Sequence, residues 1–192
     1  MNNSERKDII KQLCDNLKII NKSDYVEFTK KFKLDTPIHW HDIIINKIKK
    51  SLKEIEKRKL LSSDFIKHIK AFVKSNYNIL YEQKIGLVYR DAHFDNILIE
   101  KNKISGILDF ERTELWSIDY VLTIIRKMIE HPTKYMSEKF EKFAKQEDYI
   151  YLLDWFRQFY PELFRFKKIN KRLDIYSLEY DLKTLLDRPT SQ

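Results

Sequence analysis

The sequence contains very little glycine, cysteine and proline. Gly86 and Gly106 are the only glycines among 192 residues, and they lie too far apart to share a glycine-rich phosphate-binding loop. Cys14 is the only cysteine, which excludes an internal disulfide and fits a reducing cytoplasm, where we expect the protein to lie. No apolar run approaches the roughly 18 residues that cross a bilayer, so we expect no membrane insertion.

The chain carries a formal net charge of +8, a property that it shares with many nucleic-acid-binding proteins. Basic residues are densest at 47–59, where they are interspersed with Ile48, Leu52 and Ile55 at helical spacing, as on a solvated helix face. A second basic run, at 165–172, is the better candidate for an anion site. No signature of a nucleic-acid-binding fold is present, so we do not expect nucleic acid as a partner.

Apolar residues recur at helical spacing through most of the chain, and the hydrophobic content of 43% is enough for a packed core. Ser63 or Asp64 is the predicted N-cap of the third helix, Gly86 marks its end, and Pro132 stops the fourth. The predicted helices cover residues 9–20, 44–55, 63–86, 116–131, 137–144, 149–160 and 175–186. We find no internal repeat and no flexible linker, so we predict one domain over residues 1–192.

The middle of the chain interrupts this helical pattern. Short apolar segments at 87–89, 97–100 and 104–108 predict three strands, and residues 101–103 predict a turn between the last two. Folding back at this turn would bring Asp109 close to Asp91. The predicted fold class is therefore mainly α with a small β-hairpin.

Asp91, Asn96 and Asp109 have the chemistry of a phosphoryl-transfer centre. Transfer of a phosphoryl group needs a carboxylate that orients the attacking hydroxyl group, a role that suits Asp91. Magnesium prefers a few hard oxygen ligands together with phosphate and water. Asn96 offers a neutral amide oxygen and Asp109 a charged one, so the two could bind the metal without repelling a nucleotide.

These residues also have a purely structural interpretation. Aspartate and asparagine are common in turns, and the pair Asp-Asn before a strand often forms only an Asx turn. The ordered set of strand, Asp-x4-Asn, strand, turn, strand and Asp-Phe is far more specific than any of its members. We therefore interpret residues 87–99 as a catalytic loop and residues 107–111 as a metal-binding segment.

The segment 87–111 resembles the catalytic and metal-binding loops of the aminoglycoside phosphotransferase family, whose fold is protein-kinase-like. The family pattern is roughly His-Gly-Asp-x-His-x-x-Asn-Ile-Leu, followed by Ile-Asp-Phe. By this resemblance Asp91 is the catalytic aspartate, Asn96 and Asp109 bind the metal and the nucleotide phosphates, and His93 matches the second histidine.

Three further positions belong to the resemblance. Tyr89 stands where the family usually has histidine, a position that supports the loop rather than reacting. Arg90 replaces the usual glycine and looks like the protein-kinase form of the motif. Asp119 resembles the aspartate that buttresses the catalytic loop, although a helix N-terminal acid is an equal alternative from sequence alone.

The resemblance implies the C-terminal lobe of the kinase-like fold. In such enzymes a β-rich N-terminal lobe with a glycine-rich loop and a Lys–Glu pair covers the nucleotide. The residues before 87 predict helices instead, so we expect this N-terminal β-lobe to be absent from the chain. The implied function is an ATP-dependent and magnesium-dependent small-molecule phosphotransferase, with weak activity of this chain alone unless another chain supplies that lobe. The alternative is an inactive remnant or binding module that keeps the lobe fold.

The acceptor is defined only as a hydroxyl-bearing small molecule, and an aminoglycoside-like compound is favoured by resemblance alone. A polycationic acceptor would need carboxylates, whereas a quaternary amine would need aromatic walls, which the segment 149–160 could supply. The candidate carboxylates are Glu111, Glu114, Asp148, Asp154 and Glu162.

Overall fold

The computed structural model describes residues 2–32, 40–135 and 138–187. Helices in these ranges are α1 (Asn3–Lys22), α2 (Tyr25–Phe32), α3 (Trp40–Arg58), α4 (Ser63–Asn76), α5 (Val121–Glu130), α6 (Glu138–Glu141), α7 (Leu152–Phe159) and α8 (Ile169–Asp187). Strands are β1 (Ile85–Tyr89), β2 (Ile97–Glu100), β3 (Lys103–Ile107) and β4 (Thr113–Ser117). No helix in the described ranges is long and apolar enough to span a bilayer.

The four strands form two antiparallel pairs, β1 with β4 and β2 with β3. Lys101 and Asn102 connect β2 to β3, and both have positive φ, 49° and 59°. Two consecutive residues in the left-handed region are typical of a two-residue hairpin turn that matches the twist of the strands. The predicted mainly helical fold with a small hairpin is confirmed.

The described residues cluster into two compact units. The first contains α1, α2, the four strands, α5, α6 and α7, and the second contains α3, α4 and α8. The single domain over residues 1–192 stays a prediction.

Helix α1 organises the first unit. A capping box between Asn2 and Glu5 fixes its start. Its buried stripe packs on β1 and α7 and consists of Ile9, Ile10, Leu13, Cys14 and Leu17. Cys14 is fully buried, and this burial raises the pKa of its thiol to about 12. The thiol is therefore a small core group rather than a reactive one.

The second unit packs α3 against α4 and α8. The Trp40 ring meets the Tyr176 ring edge-on, with centroids 5.3 Å apart. Arg172 is fully buried, but it donates hydrogen bonds to the backbone carbonyls of Ile79 and Glu82, so its charge does not lack acceptors.

Several predicted boundaries were wrong. The predicted helix 116–131 begins only at Val121, because Trp116 belongs to β4, which pairs with β1. The third helix starts after Ser62, whose side chain accepts from the Phe65 amide, and its α-helical part ends at Asn76. Gly86 therefore ends no helix and instead lies within β1.

Other elements also differ from the prediction. Helix α2 was not predicted, and α6 covers only Glu138–Glu141 of the predicted 137–144, where Ser137 lies outside the described residues. Helix α8 begins at Ile169, six residues before the predicted start at Ile175. Tertiary packing and turns determine where a helix begins and ends, and the spacing of apolar residues predicts these positions poorly.

Candidate functional site

The predicted catalytic loop folds back on itself directly after β1. The backbone carbonyl of Asp91 accepts a hydrogen bond from the His93 amide at 2.8 Å and from the Asn96 side chain at 3.1 Å. The Asn96 amide in turn donates to the His93 carbonyl. Asp91 and Asn96, five residues apart, are thus tied together by short hydrogen bonds rather than only by proximity in the chain.

The His93 ring lies between these two side chains. Its Nε2 atom is 3.4 Å from Asp91 Oδ1 and 3.2 Å from Asn96 Nδ2. A neutral ring can accept from Asn96, and a protonated ring can pair with Asp91, so the tautomer decides which contact is favourable. In either state the ring contacts the loop. The supporting role of His93 stays a prediction.

Asp109 follows the hairpin and is solvent-exposed. The Leu108 amide donates to the Asn96 carbonyl at 2.8 Å, so the residue before Asp109 is bonded directly to the loop that contains Asn96. Asp109 itself has φ 58° and ψ 60°, in the left-handed region. Aspartate tolerates this conformation better than most residues, because its short polar side chain forms local hydrogen bonds.

Tyr89 connects the two halves of the site. It is fully buried, and its hydroxyl donates to the Leu108 carbonyl at 2.6 Å. Burial raises the pKa of Tyr89 to about 12, a hydrogen bond with Asn96 opposes this shift, and the charges of Asp91 and Asp109 add to it. The Tyr89 hydroxyl thus bonds the end of β1 to the residue before Asp109. Its role in loop support stays a prediction.

Asp119 is fully buried in a short 3-10 turn, Ile118–Tyr120, and accepts a hydrogen bond from Ser117 at 2.5 Å. The next residue, Tyr120, accepts from the Arg90 guanidinium at 3.4 Å. The turn that contains Asp119 therefore lies against the residue that precedes Asp91. The buttressing role itself stays a prediction.

The sequence did not predict how Arg90 is bound. Its guanidinium pairs with Glu114 at 2.8 Å and lies over the Trp116 ring, 3.8 Å from the centroid. Both partners belong to β4, the strand that the sequence assigned partly to a helix. The spacing of two between Glu114 and Trp116 would have placed them on one face of a strand, so this was the available signal.

The hairpin next to the site exposes large apolar side chains. Their exposed fractions are between 44% and 47%, which is unusual for four such residues close together in sequence. The residues are Leu98, Ile99, Leu108 and Phe110. We call these four residues the hairpin strip.

Two of the candidate substrate carboxylates are already paired. Glu114 binds Arg90, and Asp148 binds Arg6 at 2.5 Å. An acid that is neutralised within the chain attracts a polycation less strongly. The acids that remain as candidates are Glu111, Asp154 and Glu162.

No group of three or more His, Cys, Asp and Glu side chains suited to a metal occurs in the described part of the chain. The predicted magnesium pair is of another kind, one amide and one carboxylate completed by phosphate. The Asn96 side-chain nitrogen makes the contacts with the Asp91 carbonyl and the His93 ring, so the amide oxygen is the atom of this side chain that could bind a cation. The amide oxygen of Asn96 and the carboxylate of Asp109 are therefore suitable ligands for a hard cation.

Comparison with known proteins was decisive for the family. The family model described as "Phosphotransferase enzyme family" (APH) matches residues 3–120, more than half of the chain. The chain belongs to this family. The matched range includes Tyr89, Asp91, His93, Asn96, Asp109 and Asp119. No curated protein matches the sequence.

Solved structures of the family share the fold at low identity. The streptomycin–ATP ternary complex and the gentamicin complex of APH(2")-IIa each have a TM-score of 0.52 and 16% identity. The ADP-bound aminoglycoside phosphotransferase APH(2'')-Ib has a TM-score of 0.50 and 16% identity. The matches cover 94%, 94% and 95% of this chain and 64%, 64% and 66% of the respective relatives. This chain thus spans about two thirds of the length of the enzymes that it resembles.

Proposed function

We propose that this chain is the catalytic lobe of a phosphotransferase that transfers the γ-phosphoryl group of ATP to a hydroxyl group of a small molecule. The observation that carries the proposal is the set of hydrogen bonds that links Asp91, Asn96 and the residue before Asp109 in a chain of the phosphotransferase family. A fold alone does not imply a function, so these side chains are the basis of the argument.

Asp91 is proposed to orient the acceptor hydroxyl and take its proton. The hydroxyl oxygen attacks the γ-phosphorus, the bond from this phosphorus to the bridging oxygen breaks, and ADP leaves with the bonding electrons. The Asp91 backbone is fixed by two hydrogen bonds from within the loop, and its side chain is about one-fifth exposed. The carboxylate is thus both fixed in position and reachable by an acceptor.

Asn96 and Asp109 are the residues proposed to bind Mg²⁺, because they offer one amide oxygen and one exposed carboxylate. Bound Mg²⁺ would neutralise charge on the phosphate oxygens. Tyr89 contributes by fixing Leu108, and through it the backbone that leads to Asp109. His93 and Asp119 are proposed as supporting residues.

A further part of the enzyme is proposed to complete the site. The chain spans 64% of the first two solved relatives, and the half-exposed apolar residues of the hairpin strip belong to the segments that follow Asn96 and flank Asp109. Binding of a nucleotide base, and docking of the protein part that covers it, both require exposed apolar side chains. We therefore propose that an N-terminal lobe from another chain raises the activity, because it would exclude water from the phosphates.

The proposed acceptor class is a hydroxyl-bearing small molecule. The related structures contain streptomycin and gentamicin. Only some of the candidate acids of this chain are unpaired, so we do not narrow the acceptor further.

Nucleotide binding tests the proposal most directly. We expect a fluorescent ADP analogue to bind in the micromolar range with Mg²⁺, and we expect binding to be lost when EDTA removes the metal. Asp109→Asn should weaken binding at least about tenfold, because it removes the charged ligand. Asparagine also tolerates the left-handed conformation of residue 109, so the variant does not add backbone strain.

Asp95→Asn is the matched control, since Asp95 is exposed, adjoins Asn96 and carries the same charge. It should change binding less than about twofold. Asp91→Asn should reduce transfer from ATP to gentamicin or streptomycin by about 100-fold or more, while it leaves nucleotide binding and the thermal midpoint nearly unchanged. Equal losses in Asp95→Asn and Asp109→Asn would refute the metal assignment.

A second candidate function is a binding module that keeps the lobe fold without turnover. The incomplete coverage of the solved relatives favours it. If the chain shows no magnesium-dependent nucleotide binding, this candidate replaces the first.

A further inference from the structure

A groove in the second unit, far in sequence from Asp91, has the features of a docking surface. It runs between α3 and α4, and its volume is about 590 Å³. We call it the lysine groove. Its floor consists of Ile45, Ile48, Leu52 and Val73, and its rim includes Lys49, Lys53, Lys70 and Lys74.

The rim lysines form two rows. Lys49 and Lys53 lie one turn apart on α3, and Lys70 and Lys74 lie one turn apart on α4. Residues four apart share a helix face, so each wall carries two neighbouring cations. The lining residues of α3 extend from Asp42 to Glu56, a rise of about 21 Å along the helix axis.

The rim has an excess of positive charge. Four lysines and two acids, Asp42 and Glu56, line the groove, which leaves two uncompensated positive charges. Lys70 pairs with Glu56 at 3.2 Å. Lys49, Lys53 and Lys74 are exposed and have no ion-pair partner among residues 2–32, 40–135 and 138–187. A stability role does not require three unpaired lysines around one apolar channel.

We propose that the lysine groove binds an acidic amphipathic helix of a partner protein. An apolar ridge with i, i+3, i+4 and i+7 spacing would enter the groove, as in other helix-in-groove complexes. Glutamate or aspartate on both sides of that ridge would meet the lysines of both walls. The charge complementarity sets the orientation and speeds association, and the apolar ridge supplies the buried area.

The shape of the groove argues against other occupants. The floor side chains are at most 7% exposed, so they lie below the lysines and offer a flat bilayer surface little apolar contact. A helix ridge that enters the groove would instead contact the methylene stems of the rim lysines and the ring of Tyr77, which is 40% exposed. The groove lining contains no arginine and one aromatic residue, Tyr77, whereas single-stranded nucleic acid is bound by basic grooves with stacking aromatics.

A designed peptide tests the proposal. The probe is a fluorescein-labelled helix of about 15 residues with leucine at i, i+3, i+4 and i+7 and glutamate beside this stripe. We expect anisotropy to give micromolar affinity at about 50 mM salt, and weaker binding as salt rises. The double variant Lys49→Glu/Lys53→Glu should weaken binding at least tenfold, and Lys74→Glu on the opposite wall should weaken it several-fold.

Lys50→Glu/Lys57→Glu is the matched control, because it makes the same charge change on the same helix at residues that do not line the groove. It should change affinity less than about twofold. A peptide with serine in place of leucine, at unchanged charge, should bind at least tenfold more weakly. Circular dichroism should show that every variant keeps its helix content.

Three outcomes would overturn the proposal. One is an equal loss in the two double variants, which would indicate unspecific charge attraction. Another is equal binding of a peptide with lysine in place of glutamate. The third is groove-dependent binding of phosphatidylglycerol vesicles, or self-association abolished by Lys49→Glu/Lys53→Glu, without peptide binding.

Discussion

The two strand pairs of the first unit differ in how deeply they are buried. Strand β1 is buried along most of its length and is bonded to α1 and β4. The β2–β3 hairpin is attached to α1 at its turn, where the Gln12 side chain bonds the Asn102 carbonyl and the Ile104 amide, but it exposes the hairpin strip. The site lies where the two pairs meet.

The difference indicates which part of the site is complete. The side that contains Asp91 is packed by other described residues of this chain. The side next to Asp109 leaves Leu108 and Phe110 about half-exposed to water. The predictions that follow test this contrast between a closed side and an open side.

Gly86→Ala should have the largest effect on stability. A methyl group on Gly86 would lie 2.5 Å from the backbone carbonyl oxygen of Asn21 and 3.1 Å from an Ile118 methyl. The clash with backbone cannot be relieved by a rotamer change, so α1 would have to move away from β1. We expect the free energy of unfolding to fall by about 3 kcal/mol. This corresponds to a decrease of roughly 6–12 °C in the thermal midpoint for a chain of this size.

Gly106→Ala is the internal control for this prediction. Its added methyl would lie 3.5 Å from the Leu98 side chain, an ordinary contact with a flexible neighbour on the open hairpin. Calorimetry should show that the free energy of unfolding changes by less than about 1 kcal/mol in either direction. If Gly106→Ala destabilised the chain as much as Gly86→Ala, the contrast between the two strand pairs would be wrong.

Asn21→Ala should have the next largest effect. The Asn21 side chain donates to the Leu87 carbonyl at 2.5 Å and accepts from the Tyr160 hydroxyl at 2.9 Å, and all three groups are buried. Alanine would leave two buried polar groups without a partner, so we expect a loss of about 2–3 kcal/mol in urea unfolding. Tyr160→Phe removes only one of these two hydrogen bonds, so we expect a smaller cost of about 1 kcal/mol.

Sequence reasoning succeeded where the signal was local. The hairpin was predicted because short β-prone segments flank a turn. The roles of Asp91, Asn96 and Asp109, which were inferred from their spacing, stay predictions. It failed for β4, because the segment around Trp116 gains its strand partner, β1, from far away in the chain. The prediction that Gly86 ends a helix was wrong for a related reason. Glycine is needed there because α1 lies close to β1, and a local sequence pattern does not reveal this contact.

The same reasoning applies to Arg90. Its departure from the family glycine was visible in the sequence, but its partners Glu114 and Trp116 belong to the strand that was missed. Long-range contacts determine such a cluster, and periodicity in one segment does not report them.

Tyr89→Phe should have a moderate effect on stability and a specific effect on binding. The variant loses the hydrogen bond to Leu108 and keeps the ring contact with Phe110, whose centroid is 5.1 Å away. We expect a stability cost of about 1 kcal/mol. Because Leu108 precedes Asp109, magnesium-dependent nucleotide affinity should fall several-fold, which a purely structural residue at this distance would not produce. Unchanged affinity would limit Tyr89 to packing.

Replacing the hairpin strip should have the smallest effect on stability. Leu98→Gln/Leu108→Gln changes two half-exposed side chains, so urea unfolding should shift by less than about 0.5 kcal/mol per residue. Leu87→Gln makes the same chemical change on β1, where leucine is 5% exposed, and should lower the free energy of unfolding by about 2 kcal/mol. The strip variant should also be more soluble, and it should lose nucleotide affinity if the strip contacts the base. A large loss of stability in the strip variant would show that these leucines belong to the core, and the argument for a missing covering part would lose its structural support.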